Sequence, residues 1–453
     1  MTNTLPALAA ALLAVLPAGG RSDRAGPVLR SQAFELTEAA EVIASVEAAC
    51  EGCAWGGTGR EAATLRVELD GRYSQHLLLV RGAGPAVYRV SLGALGAGAH
   101  ALTLATDAHH TARGAGPVRV TRIETESIPW SDPRHALVAH APLIHARPDA
   151  VERFSDVPLL TWVEEDPRPN GRRLRYSTVF SNEDGGTPPD RLLATWGRLT
   201  DIEYVYGVEL DAQGNILAAE FQGKEHRILP FAGRREGQHP VLYVVTDNNM
   251  LSDTGRAPLR FAPAPRVADL TGASREVVMD AEPWTYHVSS EEARREGRVV
   301  AEARPGDRKI LDPRRYVYLE ACAETLDVGL TFGVGVAGSS GWIQFHDSDG
   351  GQPGFLIRRS PDHFPNGCFR GAVALPEGTP PEAIRALRFR AFTRPPERDE
   401  PPLKKGAGAA RLLRVNKLFQ LDAGDLPGRS LFSWTGELPL EPEGPAVELE
   451  IGR

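Results

Sequence analysis

The chain has 453 residues, more than a single hydrophobic core usually serves, so we expect two to four domains. Its 46 glycines and 36 prolines favour many turns and short strands over long helices. The formal net charge of −8 gives no overall electrostatic basis for nucleic-acid binding, and no apolar run reaches the roughly 18 residues that a transmembrane helix needs. We therefore expect a mainly β, multidomain protein with neither a nucleic-acid partner nor a transmembrane segment.

The first residues have the pattern of an export signal. Residues 5–18 form an uncharged apolar run of signal-peptide length, and small residues suited to cleavage follow at 19–20 and 25–26. The leading residues 1–4 carry no Lys or Arg, so a buried N-terminal helix is the alternative. We predict a signal peptide over residues 1–26 and a secreted or periplasmic protein of bacterial type.

The four cysteines are an even number, as expected of an exported protein with disulfides. Cys50 and Cys53 have the spacing of a redox motif, but no βαβ pattern surrounds them. Cys322 and Cys368 lie too far apart to supply a second Cys-x-x-Cys pair for zinc. We predict a local Cys50–Cys53 loop and a Cys322–Cys368 bridge within a C-terminal domain.

Residues 27–128 alternate between apolar and polar side chains, as strands do. Leu65, Val67 and Leu69 alternate with charged residues, and Asp70-Gly71 is a strong hairpin signal. Further strands are predicted at 76–80, 86–92, 100–105 and 118–123. Short strands at this spacing predict an N-terminal β-sandwich of the jelly-roll type. Residues 98–104 resemble the closing strand of carbohydrate-binding jelly rolls.

Two kinds of side chain in this region bear on function. Trp55 and Tyr73 are candidate platforms for stacking sugars, with a place in the core or at its rim as the alternative. His109 and His110 lie in a Gly-rich loop, so we expect them to be exposed to solvent.

A proline-containing linker at 128–133 separates a central region, residues 135–312, from the first domain. Strands are predicted at 174–181, 202–210, 216–221 and 241–246. One helix is predicted near 289–301, because Ser289 and Glu292 have the spacing of a capping box. A C-terminal β-rich domain, residues 314–453, has strands at 328–336 and 342–345 and a polar loop at 394–408.

The familiar catalytic signatures HExxH, GxSxG and GxxxxGK[ST] are absent. Residues 333–338 match GxGxxG, but a strand instead of a helix follows them, so we predict a strand and a turn and no nucleotide cofactor. Residues 346–351 have the appearance of a calcium loop but lack the later ligands, and a simple turn is the preferred interpretation.

The acidic strand around residue 201 is the most informative segment. Strict alternation would place Ile202, Tyr204, Tyr206, Val208 and Leu210 on one apolar face, with Asp201, Glu203 and Glu209 on the other. The turn at 211–215 would then bring His226 opposite the two carboxylates. These groups could hold a divalent cation such as Ca²⁺ or Mg²⁺, or share a proton. The alternative is a solvated polar sheet face.

We therefore predict Asp201, Glu203 and His226 as catalytic residues, with Asp201 and Glu203 as metal ligands. Glu183 and Asp184 follow one strand of the same region, and Asp247 and Asn248 follow another. Loops at strand ends commonly carry function, so these four residues are predicted to bind substrate. Solvated acidic turns are the alternative.

The central region also resembles the family of vacuolar-protein-sorting-62-type and necrosis-inducing (NLP) proteins. The similar segments are residues 140–157, 174–182, 200–203 and 239–244, where Asp201-Ile202-Glu203 stands for the Asp-Trp-Glu of that family. The resemblance implies a β-sandwich in which Asp201 and Glu203 help to bind a cation. The chain departs from the pattern at Ile202, at the absence of a His before Asp201, and at residues 246–249, where the family has Ser-His-Ala.

Together these patterns predict a secreted multidomain β protein that binds or acts on an extracellular glycan or surface polymer. As an enzyme it would use metal-assisted or acid/base chemistry. The alternatives are a non-enzymatic adhesion protein with structural calcium and an NLP-like cytolysin.

Overall fold

The computed structural model describes residues 26–304, 307–326, 328–344, 367–393 and 409–452. The described chain is mainly β and forms three sandwiches in succession, which confirms the predicted fold class. The predicted signal segment up to residue 25, the turn at 346–351 and the loop at 394–408 lie outside the described residues. No helix of the described chain is long and apolar enough to cross a membrane.

The N-terminal sandwich has seven strands: β1 (Val28–Leu36), β2 (Ala40–Cys50), β3 (Thr64–Leu69), β4 (Arg72–Leu78), β5 (Ala86–Leu95), β6 (Gly98–Thr106) and β7 (Val118–Pro129). One sheet has the order β1-β6-β3-β4 and the other the order β5-β2-β7. Asp70 and Gly71 both have positive φ in the β3–β4 hairpin, as a type I′ turn requires. Buried aliphatic residues such as Val46, Leu65 and Leu104 fill the space between the sheets.

The central sandwich contains β8 (Leu143–His145), β9 (Pro158–Arg168), β10 (Gly171–Phe180), β11 (Asp201–Asp211), β12 (Ile216–Gln222), β13 (Ile228–Pro230), β14 (Arg235–Glu236), β15 (His239–Val244), β16 (Leu251–Ser252), β17 (Arg260–Phe261) and β18 (Arg266–Val267). Its larger sheet has the order β13-β12-β11-β10-β9-β18. Its smaller sheet has the order β14-β15-β8-β17, with β16 paired to β15.

Five helices accompany this sandwich: α1 (His135–Ala139), α2 (Pro148–Arg153), α3 (Pro189–Trp196), α4 (Val277–Ala281) and α5 (Trp284–Arg295). The predicted helix start at Ser289 is wrong, because α5 begins five residues earlier, after Pro283. Ser289 and Glu292 are buried in the middle of the helix and cannot cap it. Gly297, with a φ of 65°, ends the helix before the predicted end at 301.

The C-terminal sandwich contains β19 (Tyr316–Leu326), β20 (Val328–Val336), β21 (Trp342–Gln344), β22 (Cys368–Ala374), β23 (Ile384–Thr393), β24 (Ala409–Gln420), β25 (Phe432–Leu440) and β26 (Val447–Glu450). The sheets have the orders β22-β19-β24-β25 and β21-β20-β23-β26. As predicted, the glycine-rich residues 333–338 form the end of a strand and a turn, and the next described element is the strand β21.

Both predicted disulfides are present. Cys50 and Cys53 close a local loop directly after β2. Cys322 and Cys368 are directly opposite each other on β19 and β22, so the bridge links neighbouring strands of one sheet.

Candidate functional site

A β-bulge in β11 decides which way the acidic residues face. Tyr176 of β10 pairs with Tyr206 of β11, but the next residue, Ser177, pairs with Tyr204. Val205 is therefore an extra residue in β11. Because side chains alternate along a strand, one extra residue reverses the facing of every residue beyond it.

The bulge turns Asp201 and Glu203 into the sandwich interior. Asp201 pairs with Phe180, which lies in the core between the two central sheets together with Tyr206. Ile202 packs instead in a core on the opposite side of the large sheet. The predicted division of this strand into one apolar and one acidic face is therefore wrong. Asp201 is 2% exposed and Glu203 is 9% exposed.

Asn249 holds the carboxylate of Asp201 in place. Its Nδ2 donates a hydrogen bond of 3.0 Å to Asp201 Oδ2, and its Oδ1 is buried with no hydrogen-bond partner among the described residues. Arg198 Nη1 lies 3.9 Å from Asp201 Oδ1. The sequence pattern predicts the adjacent Asn248 instead, whose Oδ1 accepts a bond of 2.7 Å from Thr246 Oγ1. Asn249 has a φ of 57°, a conformation that Asn tolerates better than most residues.

His226 lies beside Glu203 at the solvent side of the cluster. Its Nδ1 is 4.0 Å from Glu203 Oε2, and about half of its side chain is exposed. Gln222 joins the two, because its Nε2 donates to Glu203 Oε2 and lies 3.3 Å from His226 Nδ1. Gln222 was not predicted, and no sequence motif identifies it; its role follows from the place where β12 ends.

Glu183 adds a third carboxylate to Asp201 and Glu203. Burial and the charge of Asp201 raise the pKa of Glu183 to about 7. Burial, followed by the charges of Asp201 and Glu183, raises the pKa of Glu203 well above its usual range. Burial also raises the pKa of Asp201. Each of the three groups is thus costly to ionise while the others are charged.

The loops that carry Glu183 and Asp247 are in contact. The backbone N–H of Gly185 donates a bond of 2.8 Å to the carbonyl of Asp247. A Cβ atom at Gly185 would collide with the Asp247 carboxylate, and one at Gly186 would collide with the Glu183 carboxylate. The two glycines therefore lie directly against the carboxylates of these loops.

Asp184 lies at the other end of the same network. Its carboxylate accepts bonds from Arg147 Nη2 at 3.1 Å, from Arg153 Nη2, and from Ser155 Oγ at 2.6 Å. Arg147 Nη2 also bonds Asp156, whose Oδ1 lies 3.3 Å from Asn249 Nδ2. These bonds stabilise the loop and occupy the Asp184 carboxylate.

The aromatic residues Trp55 and Tyr73 are not open platforms. Trp55 is 2% exposed, its ring is covered by the Arg295 guanidinium at 5.2 Å, and its Nε1 donates to Glu292. The guanidinium of Arg66 lies 4.6 Å from the centroid of the Tyr73 ring. Both rings are therefore engaged by other side chains of the protein.

The cluster contains the ligand types that hard cations prefer, namely carboxylate oxygens and the unpartnered amide oxygen of Asn249. These side chains are, however, farther apart than the ligands of one bound cation. Within the described ranges, the His, Cys, Asp and Glu side chains of this cluster do not bring three ligand atoms within 4.8 Å of one another. Binding a cation here would require Glu183, Asp201 and Glu203 to draw closer together.

No protein-family model matches the chain, and no curated protein matches it. Solved structures give weak, partial similarities to proteins described by sugar binding or by a sugar complex. The C-terminal domain of EclA, a sugar-binding protein, is 19% identical with a TM-score of 0.17, covering 23% of this chain and 69% of that one. NLPPya in complex with mannosamine is 14% identical with a TM-score of 0.23, covering 31% and 75%. A family 35 carbohydrate-binding module from an environmental isolate is 20% identical with a TM-score of 0.15, covering 22% and 74%.

Proposed function

We propose that this protein binds an extracellular glycan at the end of the central sandwich, through a divalent cation held by Glu183, Asp201 and Glu203. The observation that carries the proposal is the burial of three carboxylates in one cluster, where the nearby charges of Arg198 and Arg275 offset only part of the mutual repulsion. A buried charge is tolerated only when it is paired, protonated or bound to a metal. A cation such as Ca²⁺ would relieve the repulsion and leave coordination positions for sugar hydroxyls.

The surroundings of the cluster suit a polar ligand. Glu183 lines a cavity of about 480 Å³ together with Glu296, Arg298 and Lys309. This volume is within the range of small-molecule sites, and its charged lining favours hydroxyl-rich ligands over apolar ones. The exposed half of His226 offers a second approach, on the side of Glu203.

An extracellular location fits the two disulfides, since such bonds persist in oxidising compartments. A secreted or periplasmic protein would meet both free calcium and surface polysaccharides. The localisation can be checked by mass spectrometry of the exported protein, which should lack the N-terminal 26 residues.

The glycan test compares the parent with the Asp201→Asn/Glu203→Gln double variant on an array of polysaccharides, in Ca²⁺ and in EDTA. We expect the parent to bind at least one glycan in Ca²⁺ only, and the double variant to bind none. Glu209→Gln is the matched control, because Glu209 lies on the same strand and is partly exposed. Equal binding by the parent and the double variant would refute the proposal.

Acid/base hydrolysis is a second candidate, favoured by one observation. Burial beside Asp201 raises the pKa of Glu183 to about 7, near the value at which a carboxylic acid can donate and recover a proton in neutral solution. The same array incubation should then release reducing sugar, and Glu183→Gln should stop the release. Binding without release would leave a glycan-binding protein.

Chelation that lowers the melting temperature without any glycan binding would indicate an adhesion protein with structural calcium. Leakage of lipid vesicles would indicate a cytolysin.

A further inference from the structure

A separate cluster of metal-ligating side chains lies in the N-terminal sandwich. His76 belongs to β4, and Asp107 and His110 lie in the loop that follows β6. Asp107 Oδ2 is 3.2 Å from His76 Nε2 and 2.8 Å from His110 Nδ1. Within the part of the chain that the structure describes, these three residues are the one group of His, Cys, Asp and Glu whose ligand atoms all lie within 4.8 Å of one another.

The cluster is sheltered from solvent. The exposed fractions of the side chains are 5% for His76, 8% for Asp107 and 14% for His110. The expectation that His110 is exposed in its loop is therefore wrong. The reason is that the Asp107 carboxylate turns the loop back onto β4 and buries the imidazole.

The loop that carries two of the three ligands is held in a fixed shape. Asp107 Oδ1 accepts hydrogen bonds from the backbone N–H groups of His109 at 3.0 Å and His110 at 3.3 Å, which leaves Oδ2 directed at the imidazoles. Thr111 Oγ1 donates a bond of 2.6 Å to the carbonyl of Asp107. Thr64 Oγ1 of β3 donates a bond of 2.5 Å to the carbonyl of His110. The backbone of this loop is therefore already ordered before a ligand binds.

Tyr73 provides a second partner for His76. Its hydroxyl oxygen is 2.7 Å from His76 Nδ1 and 3.4 Å from the carbonyl of Pro258. If His76 Nε2 is bound to a metal, its Nδ1 carries the proton and donates to the Tyr73 oxygen. The Tyr73 hydroxyl can then donate to Pro258. Partners of this kind orient metal-bound imidazoles and fix their tautomer.

We propose that His76 Nε2, Asp107 Oδ2 and His110 Nδ1 bind a Zn²⁺ ion. Two imidazoles and one carboxylate are a common zinc ligand set, whereas Ca²⁺ takes six to eight oxygens. With bonds of about 2.0–2.1 Å, the ligands of a tetrahedral zinc lie about 3.3 Å apart. The His76–Asp107 distance of 3.2 Å meets this spacing. The His110–Asp107 distance of 2.8 Å would have to lengthen by about 0.5 Å. The fourth position is left to water.

The ion would join three parts of the molecule. Its ligands come from β4 and from the loop after β6, and Tyr73 connects the site to Pro258 of the central region. Zinc at this place would therefore stabilise the N-terminal sandwich and its contact with the central one. This site is independent of the carboxylate cluster at Asp201.

The test uses the full chain, from which bound metal is first removed with a chelator. The protein is then titrated with Zn²⁺ in competition with a chromophoric chelator. We expect one Zn²⁺ per chain in the parent and none in His110→Ala, a loop variant that leaves β4 intact. Tyr73→Phe should retain the site and weaken it by about 10- to 100-fold. His100→Ala is the matched control, because His100 pairs with Asp70 at 2.8 Å but, among the described residues, belongs to no group of three metal-ligating side chains.

The Asp201→Asn/Glu203→Gln double variant should bind Zn²⁺ as the parent does, which separates this site from the proposed glycan site. Failure of the parent to bind Zn²⁺ would overturn the proposal and make Asp107 a hydrogen-bond acceptor only. Undiminished stoichiometry in His110→Ala, with circular dichroism showing a folded protein, would overturn it as well.

Discussion

Ser155 has one hydroxyl proton and two carboxylates within reach. Its Oγ is 2.6 Å from Asp184 Oδ1 and 2.8 Å from Glu292 Oε1. Arginines surround Asp184 and favour its ionised form, whereas burial raises the pKa of Glu292 to about 7. We therefore infer that Ser155 donates to Asp184, and that protonated Glu292 donates to Ser155.

This arrangement predicts the pH dependence of stability. The pKa of Glu292 is about 7 in the fold, against 4.5 for an ordinary Glu, so the folded state holds the proton more tightly. The stabilisation is complete below about pH 4.5 and is lost as the pH rises through 7, with a change of about 3 kcal/mol. Glu292→Gln mimics the protonated form and should remove this contribution, while the contribution of Glu183, whose pKa burial also raises to about 7, remains. Urea unfolding at pH 5 and pH 8 measures it, with Glu291→Gln as the neighbouring control. An unchanged pH dependence in Glu292→Gln would contradict the assignment.

For β11, the sequence predicts the bounds of the strand better than the direction in which its side chains point. The predicted strand at 202–210 matches β11 to within a residue at each end. Its facing was wrong because the extra residue, Val205, is defined only by the register with β10. The facing of Asp201 and Glu203 was therefore not predictable from β11 alone. Both faces of this strand are buried around Ile202 and Tyr206. In such a strand apolar residues need not alternate with polar ones, so the sequence pattern does not reveal an extra residue.

The two disulfides should contribute different amounts to the free energy of unfolding. In the chain-entropy model, the Cys322–Cys368 bridge closes a long loop and should stabilise the protein by about 4 kcal/mol. The Cys50–Cys53 bridge spans three residues and should contribute about 2 kcal/mol. Replacing each pair by serines and measuring guanidinium unfolding tests this order. Equal losses, or a larger loss at Cys50–Cys53, would contradict it.

At the scale of the whole molecule, the three sandwiches share buried contacts. Trp162 and Ile202 of the central sandwich pack in one core with Tyr318 and Phe419 of the C-terminal sandwich. The N-terminal and central sandwiches are joined by a β-bridge between Val90 and Pro263 and by a buried hydrogen bond. This bond joins Glu41 Oε2 to His239 Nε2 at 2.9 Å. The order of the three β regions was predictable from strand spacing, but these contacts were not, because their partners are far apart in sequence.

Arg370 is the central polar contact between α4, α5 and the C-terminal sandwich. It is fully buried and bonded to Asp280, to Glu320 and to the hydroxyl of Tyr286. Arg370→Met should destabilise the protein by about 3–5 kcal/mol, because it removes the cation that is paired with the buried Glu320 and the half-buried Asp280. Arg411→Met, at an exposed ion pair with Glu324 on the same sheet, should change stability little. Thermal unfolding compares the two, and similar melting temperatures would contradict the assigned role of Arg370.

We propose above that the buried carboxylates of the central sandwich bind a divalent cation. This binding can be measured by isothermal titration of the chelator-stripped protein with Ca²⁺, in the parent, in Asp201→Asn/Glu203→Gln, and in Glu209→Gln. We expect one Ca²⁺ per chain in the parent and in Glu209→Gln, and none in the folded double variant. Binding of Ca²⁺ by the double variant as by the parent, or no binding by the parent, would contradict it.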